Sequence, residues 1–313
     1  YQRPDLIVIS SETRPTMQVT LPNQLRIEYE SFGAEGAPTI LLIMGLGAQL
    51  LRWNIEICEA LVDKGYRVIR FDNRDCGLSS RLDDAPVPDV GALLRHGVRP
   101  NLSYTLEDMA ADTLGLLDAL AVSAAHIVGI SMGGAIAQIM AAQTPERILS
   151  LTCIMSSSGN PALPGPTPAA AAALFAPLPR DRMRDSIVAD GIRRYLVVAS
   201  PDYAETAARL TNMFEQEYDR GFYPPGVARQ LAAIVINGDR RPLLEKIRVP
   251  TLVIHGEADP LIPLACGLDI ARYIEGAETC VVKGMGHDLP LALTGQLVNA
   301  IDSIAALRSP HAR

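Results

Sequence analysis

Short apolar runs alternate with amphipathic stretches along most of this chain. Uninterrupted apolar runs are typical of strands that are covered on both faces of a parallel sheet, and apolar spacings of three and four residues are typical of helices. Their alternation predicts a mostly parallel, doubly wound α/β sheet. The predicted strands of this sheet are 39–44, 67–71, 126–130, 149–155, 249–254 and 279–282, and the predicted helices are 54–64, 105–120, 134–144, 264–274 and 290–307.

Two segments near the start of the chain have a different pattern. Residues 17–21 and 25–32 each alternate apolar and polar side chains, and Pro22 and Asn23 form a turn signal between them. This pattern predicts an antiparallel hairpin at the edge of the sheet. Together with the buried runs, the hairpin completes an expected eight-stranded sheet.

Two other stretches break the alternation of strands and helices. Residues 81–103 contain three prolines and little apolar periodicity, so we expect a surface loop there. Residues 159–248 contain proline clusters, an alanine run and helical segments without clear strands between them. We therefore predict a mostly helical cap over 159–248, inserted into a core domain that is formed by 1–158 and 249–313.

The predicted cap is rich in aromatic residues. Seven of the 9 Tyr and 5 Phe residues in the chain fall within 159–248. Such side chains either bind an apolar substrate or fill the core of the cap itself, and the sequence leaves both open. We take Phe175, Phe222 and Tyr223 as candidate substrate-binding residues.

The most informative chemical motif is Gly-x-Ser-x-Gly at residues 129–133. It follows an apolar run and precedes a helical pattern of small residues, so Ser131 lies at the apex of a strand, a sharp turn and a helix. A serine in a strained turn requires neighbours with almost no side chain, which explains Gly129 and Gly133. The following helix directs its partial positive charge at the serine. This arrangement is typical of a nucleophilic serine.

A nucleophilic serine needs a base that removes its proton and an acid that orients the base. Asp259 follows the strand 249–254, and His287 follows the strand 279–282. Because the carboxyl ends of parallel strands meet at one edge of a sheet, we expect both side chains beside Ser131. The order Ser, Asp, His along the chain fits this chemistry. These three residues are therefore the candidate catalytic residues.

Other titratable residues are weaker candidates. The remaining histidines are His96, His126, His255 and His311. The second and third lie in or at the end of apolar runs, where a buried structural histidine is expected, and the other two fall in the predicted loop and the C-terminal tail. Glu257 lies close to Asp259 in the chain and stays open as an alternative acid.

Composition and charge narrow the function classes. Of the 313 residues, 48% are hydrophobic, which favours a large buried core, and 35 acidic against 28 basic residues give a net charge of −7. This balance argues against nucleic acid or an anionic membrane as the main partner, and it fits a protein that binds a small molecule. No apolar run approaches the ~20 residues that span a bilayer.

Cysteine usage indicates the compartment. The 5 cysteines include no C-x-x-C pair, so we expect reduced, mostly buried thiols and a cytoplasmic protein. Neither a His-Glu-x-x-His motif nor a Cys/His cluster suggests a metal ion. The chain begins with Tyr1 rather than Met, so a removed leader stays open. Nothing in the sequence indicates the oligomeric state.

Several motifs together resemble one enzyme family. They are Leu42–Gly47 (LIMGLG), Phe71–Ser79 (FDNRDCGLS), Gly129–Gly134 (GISMGG), Gly256–Asp259 (GEAD) and Gly284–His287 (GMGH). In these motifs the chain resembles α/β-hydrolases of the esterase and haloperoxidase-like branch, and within that branch the aclacinomycin methylesterase group. It differs in having Met44 before Gly45, where His-Gly is more usual.

The resemblance implies an α/β-hydrolase fold and acyl transfer to water through an acyl-enzyme at Ser131, with His287 as the base and Asp259 as its acid. It also implies that the backbone N–H groups of Leu46 and Met132 bind the oxyanion and that no cofactor is needed. The expected substrate is a carboxylic ester of a small or medium apolar molecule. Alternatives on the same residues are lactone hydrolysis, perhydrolysis, C–C bond hydrolysis and cofactor-free oxygen chemistry. A non-catalytic ligand receptor on a hydrolase fold is a further alternative.

Overall fold

The computed structural model describes residues 17–96 and 100–308. Its strands are β1 (Met17–Thr20), β2 (Arg26–Phe32), β3 (Thr39–Ile43), β4 (Arg67–Phe71), β5 (Ala125–Ile130), β6 (Ile148–Ile154), β7 (Thr251–Gly256) and β8 (Glu278–Val282). They form an 8-stranded sheet in the order β1-β2-β4-β3-β5-β6-β7-β8. β2 pairs antiparallel with both β1 and β4, and the other neighbours are parallel. The predicted edge hairpin and the mostly parallel sheet are confirmed.

Helices cover both faces of this sheet. They are α1 (Ile55–Asp63), α2 (Val90–His96), α3 (Leu106–Ala119), α4 (Met132–Gln143), α5 (Pro168–Phe175), α6 (Arg184–Val198), α7 (Ala207–Gly221), α8 (Pro224–Asn237), α9 (Arg241–Leu244), α10 (Leu264–Tyr273) and α11 (Thr294–Ala305). One apolar cluster joins the sheet to α3, α4 and α10, and a second cluster joins it to α1 and α11. β3, β4, β5 and β7 are buried along their whole length, as their apolar runs predicted. The predicted doubly wound α/β fold class is confirmed.

One sequence prediction is wrong. The predicted loop 81–103 contains a helix, α2. Asp89 precedes this helix, and its Oδ1 accepts the N–H of Ala92 at 2.8 Å, which satisfies one of the free donors of the first turn. Val90 and Leu93 are buried on its inner side. So few apolar positions make too short a pattern to predict a helix from the sequence.

Residues 159–248, which we call the cap region, carry α5 to α9 and no strand. The predicted helical character of this segment is therefore confirmed, whereas its division from the core as a subdomain stays a prediction. Few of its side chains are buried: α6 buries Ile187 and Val188, and α7 buries Leu210. α8 packs more closely onto the core, where Ala232 and Ala233 are buried.

Buried and partly buried ion pairs join the cap region to the core. The pairs are Arg220–Asp72, Arg229–Asp75 and Arg52–Glu217. Asp72 and Asp75 both lie in the turn after β4, and their side chains are 0% exposed. Burial raises the pKa of Asp72, and the Arg220 guanidinium opposes that rise. The polar turn after β4 therefore has a structural role, which is to hold α7 and α8 over this end of the sheet.

Candidate active site

Ser131 stands at the apex of the turn between β5 and α4. Its backbone has φ 54° and ψ −116°, a strained conformation with positive φ. Close packing requires the flanking glycines. A Cβ on Gly129 would lie 2.2 Å from the Gly133 carbonyl oxygen, and one on Gly133 would lie 2.2 Å from the Ile43 carbonyl oxygen. The turn therefore holds Ser131 at the carboxyl end of β5, in the middle of the sheet.

His287 and Asp259 lie beside Ser131, each in the loop after its strand. His287 Nε2 is 3.2 Å from Ser131 Oγ, and His287 Nδ1 is 2.7 Å from Asp259 Oδ2. Because a carboxylate faces Nδ1, that nitrogen carries the proton of the neutral ring and Nε2 is left as an acceptor. Asp259 Oδ1 accepts the N–H groups of Leu261 and Ile262 at 2.9 and 2.8 Å. The structure thus brings the three sequence-predicted residues into one hydrogen-bonded chain.

Of the two candidate acids, Asp259 is the one that contacts the histidine. Its side chain is 0% exposed, whereas Glu257 is exposed to solvent. The interaction between a carboxylate and an imidazolium is stronger where water is excluded. The geometry therefore favours Asp259 over Glu257 as the partner of His287.

The other described histidines are buried and hydrogen-bonded elsewhere. His126 Nδ1 is 2.8 Å from Ser150 Oγ, and burial lowers the pKa of His126 to about 4. His255 Nε2 donates to the Ile262 carbonyl at 2.8 Å, and burial also lowers the pKa of His255. Burial therefore favours the neutral form of both rings, and their hydrogen bonds lie outside the chain from Ser131 to Asp259. Outside the described part of the structure are the side chain of His96 and the whole of His311.

The loop after β3 (residues 44–49), which we call the oxyanion loop after the role that the sequence predicts for it, passes close to the serine. A Cβ on Gly45 would lie 3.2 Å from Ser131 Cβ. Among the described residues, nothing accepts a hydrogen bond from the N–H of Leu46 or from that of Met132. The first N–H groups of a helix have no partner within the helix, so the Met132 N–H at the start of α4 is available. Both predicted donors are therefore free to bind an oxyanion.

Side chains from distant parts of the chain hold the oxyanion loop. Asn73 Nδ2 donates to the Met44 carbonyl at 3.1 Å. Gln230 of α8 accepts the Gly47 N–H at 2.8 Å and donates to the Arg74 carbonyl at 2.9 Å. Sequence reasoning missed both residues. The available signal for Gln230 was a polar residue at a position where α8 faces the core, which implies a buried hydrogen-bond partner.

A cleft lies between the oxyanion loop and the cap region. It is lined mainly by apolar and aromatic side chains around the Arg52–Glu217 pair, and these are Ile187, Val188, Phe214, Tyr218, Phe222, Tyr223 and Val227. Among the predicted substrate-binding residues, Phe222 and Tyr223 line the cleft, whereas Phe175 ends α5 and is 46% exposed. The Tyr223 hydroxyl also donates to Asp83 at 2.8 Å and accepts from Arg229 at 2.9 Å, so it helps to fix the cap region.

Other chemistry has little support in the described residues. They contain no group of three or more His, Cys, Asp or Glu side chains that could hold a metal ion. None of the cysteines in the described residues forms a disulfide; Cys280 is half-buried and the others are buried, and burial raises the pKa of the Cys153 thiol to about 12. Within residues 17–96 and 100–308, no helix combines the length and apolar composition that crossing a membrane requires.

Comparison with known proteins agrees with the observed fold. A family model described as the α/β hydrolase fold matches residues 38–291. Rhodomycin D methylesterase DnrP of Streptomyces peucetius is 28% identical over 92% of this chain and 97% of that protein. A 2-hydroxy-6-oxononadienedioate/2-hydroxy-6-oxononatrienedioate hydrolase of Paraburkholderia xenovorans is 30% identical over 84% of this chain and 85% of that protein. The solved enol-lactonase from Burkholderia xenovorans has a TM-score of 0.70 and 25% identity, over 92% of this chain and 99% of that one.

The family match extends from the start of β3 to beyond His287. The chain therefore belongs to the α/β hydrolase fold family. As a class it is a hydrolase, and methylesterases are among its relatives. The resemblance that the sequence motifs indicated is confirmed.

Proposed function

We propose that this protein is a serine esterase that cleaves carboxylic esters through an acyl-enzyme at Ser131. The observation that carries the proposal is the hydrogen-bonded chain from Ser131 through His287 to Asp259, with contacts of 3.2 and 2.7 Å. A serine hydroxyl is a weak nucleophile by itself. An adjacent imidazole activates it when a buried carboxylate holds that ring in one tautomer.

The reaction has two halves. In the first, Ser131 Oγ attacks the ester carbonyl carbon while His287 Nε2 takes the hydroxyl proton. The bond from that carbon to the alcohol oxygen then breaks, and the imidazolium gives its proton to the leaving alcohol. In the second half, water attacks the acyl-enzyme, His287 takes the water proton and returns it to Ser131 Oγ, and the carboxylic acid leaves. Asp259 stabilises the imidazolium in both halves.

The N–H groups of Leu46 and Met132 stabilise the negative charge on the carbonyl oxygen. Two observations support these roles: both donors lack a partner among the described residues, and α4 directs the positive end of its dipole at Ser131. Donors that are already in place stabilise a transition state without the cost of rearrangement. Asn73 donates to the Met44 carbonyl and Gln230 accepts the Gly47 N–H, and these two hydrogen bonds hold the oxyanion loop in place.

The cap region selects the substrate in this proposal. The cleft adjoins the oxyanion loop at Gly47, although Ser131 and His287 are not among its lining residues. Its aromatic and aliphatic side chains would favour an apolar acyl or alcohol group in a substrate that extends from Ser131 into the cleft. The Streptomyces peucetius relative is named a methylesterase, so methyl esters with an apolar acid part are the first substrates to test. Lactone hydrolysis on the same residues is the second candidate, because the enol-lactonase structure is a similar one.

Covalent labelling tests the proposal. We expect a fluorophosphonate probe to label the wild-type protein, and peptide mass mapping should place the adduct on Ser131. The Ser131→Ala variant, which keeps the fold, should take no label and hydrolyse no ester. Methyl esters, aryl esters and lactones are then compared side by side on the wild type. An adduct on Ser156 or Ser158, or a labelled protein without ester turnover, would contradict the proposal.

A further inference from the structure

A carboxylate without a part in this mechanism comes directly after the histidine. Asp288 is 6% exposed, and both of its oxygens accept hydrogen bonds from the cap region. Oδ1 accepts from the hydroxyl of Ser200 and, at 3.0 Å, from its N–H, and Oδ2 accepts the Tyr195 hydroxyl at 2.7 Å. Burial raises the pKa of Asp288, and these donors oppose the rise. A buried carboxylate is tolerated when its hydrogen bonds are satisfied in this way.

Residues 198–200 of the cap region also contact the backbone of the loop that carries His287. We call this loop, residues 284–289, the histidine loop. The His287 N–H donates to the Val198 carbonyl at 2.7 Å, and the Gly286 N–H donates to Ser200 Oγ at 2.8 Å. A Cβ on Gly286 would lie 2.6 Å from the Val198 carbonyl oxygen, so the two segments touch through their backbones. The hydrogen bonds on either side of His287 therefore lead to the end of α6.

Residues of the core form hydrogen bonds with the imidazole ring of His287. Among the described residues, the hydrogen bonds of the His287 ring are those with Asp259 and Ser131. They set the tautomer and the direction of the ring. Core groups also hold the loop backbone on both sides of His287, through hydrogen bonds to the carbonyls of Met285 and Leu289. At His287 itself, the backbone is held by the contacts with Val198 and Ser200, and the Asp288 carboxylate in turn holds Ser200.

We propose that Asp288 is a positioning residue, which together with Tyr195 and Ser200 fixes the histidine loop at the distance from Ser131 that proton transfer requires. The inference rests on the proposed function, because it takes His287 as the base. A base must lie about 2.6–3.2 Å from the atom that it deprotonates. A misplacement of ~1 Å can cost about 10² in rate.

Tyr195 connects this loop to the cleft. Its ring packs edge-on against Phe214, with centroids 6.0 Å apart. The Arg52 guanidinium lies 5.7 Å from the centre of the Tyr195 ring and 4.3 Å from that of Phe214. Arg52 and Phe214 both line the cleft. Tyr195 therefore contacts the wall of the cleft with its ring and the histidine loop with its hydroxyl. The placement of the cap region and the placement of the base are therefore coupled through Tyr195.

Steady-state kinetics of three variants test the proposal. Asp288→Ala removes every side-chain contact, Asp288→Asn keeps an acceptor for Ser200, and Tyr195→Phe removes one donor but keeps the ring. We expect Asp288→Ala to lose roughly 10² in kcat with KM unchanged, because a displaced base slows the chemistry without weakening substrate binding. Asp288→Asn should recover most of that loss. Tyr195→Phe should show a smaller fall in kcat, again at constant KM.

Asp269 provides the matched control. It is 8% exposed, and its carboxylate accepts hydrogen bonds from Ser158 and Asn160 instead of from the segment that holds the histidine loop. Asp269→Ala should keep kcat near the wild-type value at a temperature where the protein is folded. Equal losses of kcat in Asp269→Ala and Asp288→Ala would overturn the proposal, as would a wild-type kcat in Asp288→Ala.

The remaining outcomes are also decisive. If Asp288→Ala does not fold, Tyr195→Phe carries the test, and a wild-type kcat in that variant overturns the proposal. If the wild-type protein takes no fluorophosphonate and hydrolyses no ester, the proposed esterase function fails. A wild type that is labelled and active, with Asp288 variants that match it, overturns the positioning role alone.

Discussion

The core and the cap region are stabilised in different ways. β3, β4 and β5 bury every residue that they contain, and apolar clusters cover both faces of the sheet. In the cap region, α7 buries one of its 15 residues, and ion pairs attach it to the core. Apolar burial is non-directional, whereas a hydrogen-bonded ion pair imposes one geometry. The core therefore supplies stability, and a small number of polar contacts sets the position of the cap region.

The candidate site lies where these two regions meet. Ser131 and Asp259 follow core strands, whereas the oxyanion loop and the histidine loop are held partly by Gln230 and Tyr195 of the cap region. This difference predicts three kinds of variant. Substitution of a candidate catalytic residue that follows a core strand should abolish ester hydrolysis. Loss of a polar contact between the two regions should lower the stability of the protein or displace a loop of the site, and a substitution in the cleft should change which esters are preferred.

The largest effect is expected for Asp259→Asn. The amide leaves the fold intact but holds the imidazole in the wrong tautomer and does not stabilise its charged form, so kcat should fall by about 10⁴. Ester hydrolysis and the melting temperature are measured together. Glu257→Gln is the control and should keep its activity. A nearly active Asp259→Asn with an inactive Glu257→Gln would reverse the two assignments.

Arg229→Met tests whether ion pairs hold the cap region. The substitution leaves Asp75 buried without its cation, so unfolding in urea should show a loss of about 3–5 kcal/mol. Adding Asp75→Asn should recover part of that loss, because the unpaired charge is then removed. Arg248→Met breaks a pair with Glu275 in which the side chains are 62% and 80% exposed, and it should change stability little. Equal effects at the two sites would contradict the comparison.

Leu46→Pro tests the oxyanion loop. Proline deletes the N–H, and loss of one such donor costs roughly 10²–10³ in turnover, or about 2.7–4 kcal/mol of transition-state stabilisation. Leu46→Ala keeps the N–H and should keep much of the activity. Proline also restricts Gly45 before it, so the binding of an unreactive substrate analogue is measured as well. Wild-type turnover in Leu46→Pro would mean that the donor lies elsewhere in the loop.

The smallest effect is expected for Phe222→Ala. Phe222 lines the cleft and is 39% exposed, so its truncation should leave the melting temperature nearly unchanged. The relative kcat/KM values of small and bulky esters should shift by about tenfold. Phe175→Ala is a matched control, because Phe175 is 46% exposed and lies outside the residues that line the cleft. If neither variant changes the ranking of esters, the aromatic residues do not select the substrate.

The sequence was sufficient to predict the parts of the site that directly follow strands of the parallel sheet. Ser131, Asp259 and His287 each come after an apolar run, and the ends of parallel strands converge, so their proximity was predictable. The partners of Gln230 and Asp288 were not predictable, since they lie 183 and 88 residues away in the chain and a single polar residue has no period. The positions of α6 and α7 on the core were also not predictable, because polar contacts of this kind leave no periodic pattern in the sequence.

The hydrogen bond between Gln230 and Gly47 has a consequence for grafting substrate preference between relatives. A chimera that exchanges all of residues 159–248 also replaces Gln230 and, beside it, Val227, which lies against Gly47. Such a chimera would have the cleft residues of the relative but would lose the contacts that Gln230 and Val227 make with Gly47 of the oxyanion loop. A crossover placed before α8 would transfer α5 to α7 with their part of the cleft and leave that loop with the helix that it evolved beside.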